Sequence, residues 1–148
     1  MKSVRRIVTL DANVFIAALK ADENHSEQCV EILGKVADSF LLSEPSVVYQ
    51  EVCGTLARRV GTPVADAARE QLDRMIDPRL LVNCDRAFCV STYPLCSEPG
   101  VYPIDALYLK AALDNDAVLV SLDQEFIEKV RPKRPTIQLY HVSEFLYR

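Results

Sequence analysis

Hydrophobic positions along the chain change period several times, and each change marks an element. Val4 to Leu10 is rich in β-branched residues and predicts a first strand. Val14 to Lys20 predicts a short helix. After the polar "ADENHSEQ", Ser26 to Val36 carries Cys29, Val30, Leu33 and Val36 at helical spacing. "SFLLS" predicts a second strand. "SEPSVVYQEVCGTLARRVG" predicts a helix with Pro45 near its start and Gly61 at its end, and "TPVADAAREQLDRMI" another with Thr62 as N-cap and Pro63 in the first position. "RLLVNC" predicts a third strand. "DRAFCVSTYPLCSEPGVYP" predicts a helix broken near Pro94 and a loop through Gly100. "PIDALYLKAALDND" places Ile104, Leu107, Tyr108, Ala111 and Ala112 on one helical face. The wholly apolar "AVLVS" predicts a fourth strand buried on both sides. "DQEFIEKV" predicts a helix that stops before Pro132, "TIQLYHV" a fifth strand, and Ser143 to Tyr147 a last helical turn.

Strands that alternate with helices imply an α/β fold, a parallel sheet covered on both sides. Active sites of such sheets gather at the carboxyl ends of the strands. Asp11 ends the first strand and Asp123 the fourth. The pattern shows no repeat, low-complexity segment or linker, so residues 1–148 are expected to form one domain.

Composition narrows the chemistry. Hydrophobic residues make up 49% and charged residues 26%, as in ordinary globular proteins, and no apolar run is long enough to cross a bilayer. The start "MKSVRRIVTLDANV" is basic like a signal peptide, but its apolar run stops at Asp11; it reads as a strand, and the protein as cytoplasmic. The net charge of −4 argues against a protein that grips nucleic acid by bulk charge alone. Bound cations would change that balance locally. The five cysteines are odd in number, none is paired as C-x-x-C, and there are two histidines. That disfavours a zinc site or a disulfide framework and favours buried thiols in a reducing compartment.

Four acids stand out by context. Asp11 and Asp123 follow apolar strands, Asp105 opens a helix, and Glu51 lies within the otherwise apolar "SVVYQEVCGTL". Taken singly, each aspartate is adequately explained as a helix cap. Glu51 could face solvent beside Gln50 or pair with Arg58. Taken together, and with no lysine or arginine evident in the four motifs as a partner, they would repel one another unless they took up protons or bound cations. An all-oxygen set selects Mg²⁺ or Mn²⁺. Spacing alone does not show that the four converge.

In order and context, "LDANVFIAAL", "SVVYQEVCGTLARR" and "YPIDALYLKAALDNDAVLVSLDQEF" resemble the PIN-domain ribonucleases, especially the VapC-type toxins of prokaryotic toxin–antitoxin pairs. The resemblance runs from Ile7 to about Tyr140. It implies a three-layer α/β/α sandwich around a mostly parallel five-stranded sheet, and RNA cleavage by a metal-activated water. It makes Asp11, Glu51, Asp105 and Asp123 the catalytic acids that hold Mg²⁺ or Mn²⁺. Asn13 would orient Asp11 by a hydrogen bond, and Ser121 would support the site from behind its ligands. The segment Tyr93 to Pro103, with three prolines and Cys96, departs from the family pattern and leads directly into Asp105. The partners implied are RNA, an antitoxin protein and a second copy of the chain in a homodimer, with no membrane. Among the scattered bases Lys20, Lys110, Lys133 and Arg134, the pair Arg58 and Arg59 is the best candidate for RNA contact because it shares a helix with Glu51. Tyr49, Tyr102 and Tyr108 are expected in packing roles before base stacking. The alternative is a PIN-like module that binds RNA or protein without cleavage. A phosphatase with Asp11 as nucleophile is disfavoured, because Asn13 replaces the second aspartate of the D-x-D pattern and Phe15 stands where that pattern has threonine.

Overall fold

Why these segments pack as they do is seen in a computed structural model, which describes residues 5–20, 22 and 24–146. Five strands form one parallel sheet in the order β3-β2-β1-β4-β5: β1 Arg6–Leu10, β2 Phe40–Pro45, β3 Ile76–Val82, β4 Val118–Ser121 and β5 Leu139–His141. The chain leaves β1 toward β2 on one side and later returns to its other side as β4. The carboxyl ends of β1 and β4 therefore flank the point where strand order reverses, the usual crevice of an open α/β sheet.

The sheet interior follows from the apolar runs. Val8 and Leu10 of β1, Leu42 of β2 and Leu119 and Val120 of β4 are fully buried, and β4 is buried at all four positions. Helices α1 (Ala12–Leu19), α2 (Ser26–Leu33), α3 (Val47–Arg59), α4 (Thr62–Met75), α5 (Arg86–Thr92), α6 (Pro94–Ser97), α7 (Pro103–Asp114), α8 (Gln124–Val130) and α9 (Val142–Phe145) cover it. Helix α7 packs on β1, β2 and β4, while α1 packs against β4, α2 and α3, and α3 pairs with α4. The result is a sheet between helical layers, an α/β/α sandwich. No helix of the described residues is long and apolar enough to cross a membrane.

Several boundaries differ from those expected. Strand β2 runs past Ser43 to take in Glu44 and Pro45, which do not open α3; that helix begins at Val47. The Ser46 hydroxyl then accepts the Cys84 amide at 2.9 Å and ties the start of α3 to the chain beyond β3. Gly61, not Thr62, is the N-cap of α4: its φ of +139° is open only to glycine, and Thr62 is already helical. Strand β3 begins directly after α4 and tolerates Pro78 because it lies at the sheet edge. Helix α2 ends at Leu33, before Val36, and Val30 on it is 53% exposed. In α7 burial covers Ala106 to Leu109 as well as Ala111 and Ala112, whereas Ile104 lies at the surface. Val4 and Tyr147, placed in the first strand and the last helix from the pattern, lie outside the described residues.

Candidate active site

The chain turns from β1 into α1 at Asp11, whose amide donates to the Val120 carbonyl across the sheet (2.9 Å). Asp11 occupies the N-cap position of α1, yet its carboxylate makes no capping bond to the helix amides beyond it. Instead Oδ2 accepts the Ser121 hydroxyl at 2.8 Å and, more weakly, the Asn13 side-chain amide at 3.4 Å. Ser121 Oγ in turn accepts Asn13 Nδ2 (3.3 Å) and the Asp123 amide (3.0 Å), and Asn13 Oδ1 accepts the Leu122 amide (3.1 Å). The ends of β1 and β4 are thus stitched together by side chains. Ser121 is the shorter bond to Asp11; Asn13 acts mainly on Ser121 and on the backbone after β4.

The other three acids arrive on separate elements. Glu51 projects from α3, half-buried, with Oε1 fully buried and without a hydrogen-bond partner. Asp105 lies in the first turn of α7, whose Pro103 occupies a position that needs no amide donor. Asp123 is the N-cap of α8 and accepts the Phe126 amide at 3.1 Å, so the capping role expected of it is fulfilled here. Asp105 and Asp123 also line one small recess together with Tyr102, Glu125 and Lys129.

The acids sense one another. The Asp11 carboxyl is raised to about 7, chiefly by burial and further by the charges of Asp105 and Glu51, with the Ser121 hydrogen bond opposing. Asp105 is pushed up to about 6, first by burial, then by the charges of Asp123 and Glu51. Burial also raises Glu51, with Tyr108 opposing. The Tyr108 hydroxyl faces Glu51 without reaching good hydrogen-bond geometry, and it too is buried and unpartnered. A cation from outside the four motifs does stand beside the acids. Lys129, at the far end of α8, lowers Asp105 electrostatically while pairing with Glu125 (3.3 Å) and lying 4.9 Å from the Tyr102 ring centre. The motif containing Asp123 does not reveal it, because Lys129 is six residues on and returns to Asp105 only through the helix.

A fifth acid went unnoticed in the hydropathy pattern. Glu44, at the end of β2, is fully buried. Its Oε2 accepts the Leu10 amide at 2.7 Å, immediately before Asp11, while Oε1 has no partner. Burial and the Asp11 charge raise its carboxyl well above the ordinary range. In "LLSEPSVV" it reads as a helix-start residue; only strand register turns it inward. Ser43 beside it donates to the Leu80 carbonyl (2.9 Å) and accepts Asn115 Nδ2 (2.9 Å).

These side chains suit a hard divalent cation. All are carboxylates, two of them are held above their ordinary range partly by mutual repulsion, and a buried Glu51 oxygen lacks a partner. Among the described residues no group of three or more acidic, histidine or cysteine side chains is already drawn together closely enough to hold a metal ion. All five cysteines are free thiols, Cys29 buried and Cys89 exposed.

Of the two arginines singled out, Arg59 lines a cleft of about 400 Å³ that also includes Asn13 and Leu122; Arg58 is exposed and does not line it. Glu51 forms no ion pair with Arg58 among the described residues. Lys110 pairs with Asp114, and Lys133 and Arg134 line a separate surface hollow. Tyr49 donates to Asp73 (2.7 Å), Tyr108 is fully buried, and Tyr102 is 65% exposed.

Comparison with known proteins gives this geometry a context. The profile of the PIN domain family matches residues 8–131. No curated protein matches the chain in sequence. Several solved structures share the fold. VapC20 of Mycobacterium tuberculosis, described as a toxin that cleaves the sarcin–ricin loop, superposes with a TM-score of 0.66 at 14% identity, over 82% of this chain and 93% of that one. VapBC2 of Rickettsia felis, bound to a fragment of promoter DNA, gives 0.64 at 16% identity, over 91% and 98%. FitAcB of Neisseria gonorrhoeae gives 0.64 at 14% identity, over 92% and 98%.

Proposed function

Because the chain belongs to the PIN domain family, we propose that it is a metal-dependent endoribonuclease, the toxin of a toxin–antitoxin pair. The observation that carries this reading is the electrostatic coupling of Asp105 to Asp11, Glu51 and Asp123, four acids on separate elements near the carboxyl ends of β1 and β4. The sarcin–ricin-cleaving activity in the description of VapC20 and the VapB partner in that of VapBC2 support the toxin assignment by analogy of fold. An antitoxin protein and a second copy of the chain are the partners this reading implies.

In the mechanism, Asp11, Glu51, Asp105 and Asp123 would hold Mg²⁺ or Mn²⁺. The chemistry such an ion supplies when bound is activation of a water for in-line attack on the phosphodiester and stabilisation of the leaving 3′-oxygen. The protein's own groups prepare that reaction. The Ser121 hydroxyl donates to Asp11 Oδ2 and fixes the carboxylate in one orientation at the end of a rigid strand. Asn13 holds Ser121 and the Leu122 amide, so the β4 end cannot swing away from β1. Lys129 offsets part of the negative field at Asp105. Hydrolysis by water leaves no need for a nucleophilic side chain, which accords with a site whose side chains are mainly carboxylates.

The test is cleavage of single-stranded RNA by the purified protein. Activity is expected with Mg²⁺ or Mn²⁺, is expected to stop on addition of EDTA, and is expected to vanish in Asp11→Asn while circular dichroism shows the fold intact. Undiminished cleavage by Asp11→Asn would remove the site assignment.

A further inference from the structure

Beside the acids lies a cleft of about 400 Å³ lined by Asn13, Ile16, Ala17, Asn24, Thr55, Arg59 and Leu122. It borders the candidate active site, because two of its lining residues, Asn13 and Leu122, also form the hydrogen-bonded bridge that holds Asp11 and Ser121. Its other wall is α3, the helix that carries Glu51. Thr55 is one turn on from Glu51, and Arg59 one turn further. At 1.5 Å per residue, Arg59 stands about 12 Å along the helix axis from Glu51. That is too far to touch the bond at the acids and close enough to touch the same strand.

The lining is mixed in a way that suits one ligand class. Ile16, Ala17 and Leu122 are apolar, Asn24 and Thr55 supply an amide and a hydroxyl, and Arg59 supplies one guanidinium. Among the described residues Arg59 has no ion-pair partner, although the protein carries a net negative charge. The plain explanation, a basic residue that complements the carboxyl end of α3, serves Arg58 equally well. It does not account for Arg59, and not Arg58, lining a cleft whose wall includes Asn13, the residue that bridges to Asp11 and Ser121. An acidic protein that binds a polyanion needs its cations placed locally, and this one is placed next to a volume of the size that takes a small organic ligand.

We propose that the cleft is a nucleotide subsite for single-stranded RNA. Arg59 holds a phosphate adjacent to the scissile one. The attached base lies against Ile16 and Leu122, with Asn24 and Thr55 available to its polar edge. The inference rests on the ribonuclease reading for its substrate class, but its test does not require cleavage.

Binding of a short fluorescently labelled single-stranded RNA is measured by anisotropy in EDTA, with wild type, Arg59→Gln, Arg58→Gln and Thr55→Phe. Arg59→Gln is expected to weaken binding about tenfold, the scale of one charged hydrogen bond. The slope of log affinity against log salt should fall by about 0.7, as for one phosphate contact on a single strand. Thr55→Phe keeps every charge but fills the cleft, and is expected to weaken binding with little change in that slope. Arg58→Gln is expected to lose less than Arg59→Gln. Arg59 is exposed, so its replacement spares the fold. Unchanged binding in Arg59→Gln, an equal loss in Arg58→Gln, or no RNA binding by the wild type would overturn the subsite. Binding that depends on Arg59 without any Mn²⁺-dependent cleavage would keep the subsite and overturn the nuclease reading instead.

Discussion

At the scale of single residues, the site depends on how Asp11 is held. Ser121→Ala removes the 2.8 Å bond to Oδ2 and leaves Asn13 and the Asp123 amide without their shared acceptor. Losing such a supporting contact typically lowers metal affinity or activity about 10- to 100-fold, so Ser121→Ala should reduce cleavage by that factor and Ser121→Thr should restore most of it. Glu44 separates charge from hydrogen bonding. Glu44→Gln keeps an oxygen for the Leu10 amide and should leave stability nearly unchanged. Glu44→Leu orphans that amide and should cost about 1–3 kcal/mol, read by urea denaturation. Titration of Asp11 gives a further prediction. Its carboxyl is raised from an ordinary 3.8 to about 7 in the folded state. Between those values the folded protein holds the proton that the unfolded chain has released, so without metal stability falls as pH rises from about 4 to about 7 and is flat above. The Tm of the wild type in EDTA, minus that of Asp11→Asn, should decline across this window. A difference that is constant with pH would show that Asp11 does not titrate there.

Among the elements, β4 joins the hydrophobic core to the chemistry. All four of its residues are buried, and Ser121 closes it at the acid cluster. Leu119→Ala should cost about 2–5 kcal/mol, seen as a lower denaturation midpoint, and the local disorder should reach the site through Ser121 and the Asp123 amide. Elements with a strong hydrophobic period are legible in the sequence: β1, β4 and α7 lie within a few residues of where the pattern puts them. So are Asp11 and Asp123, because a polar residue that ends an apolar run marks a strand end. The segment around Glu44 is not legible. "SEP" has the composition of a helix start, and only the register of β2, whose pairing with β3 shifts between Leu42 and Glu44, turns the carboxylate into the interior. Lys129 is hidden for a different reason: its proximity to Asp105 depends on how α8 packs beside α7, which no local pattern records. The same holds for Arg59 and Arg58, equivalent in sequence and distinguished by which side of α3 faces the cleft.

For the whole molecule, the sheet order places β1 in the middle with its crossovers diverging to either side, so that α3, α7 and the start of α8 each bring an acid near the joined carboxyl ends of β1 and β4. With a net charge of −4, the protein has no general attraction for a polyanion, so in the proposed reading RNA would be held by a bound cation and the cleft that Arg59 lines. Expression of the wild type alone in a bacterial host should arrest growth, and Asp11→Asn should not, if the protein acts as a toxin. The central claim is that four carboxylates from four elements converge on a divalent ion. A crystal soaked in Mn²⁺ and measured at the manganese absorption edge tests it most directly. The account predicts an anomalous peak among the carboxylates of Asp11, Glu51, Asp105 and Asp123, lost in Asp11→Asn. An empty acid cluster at saturating Mn²⁺, or a peak only elsewhere on the surface, would contradict it.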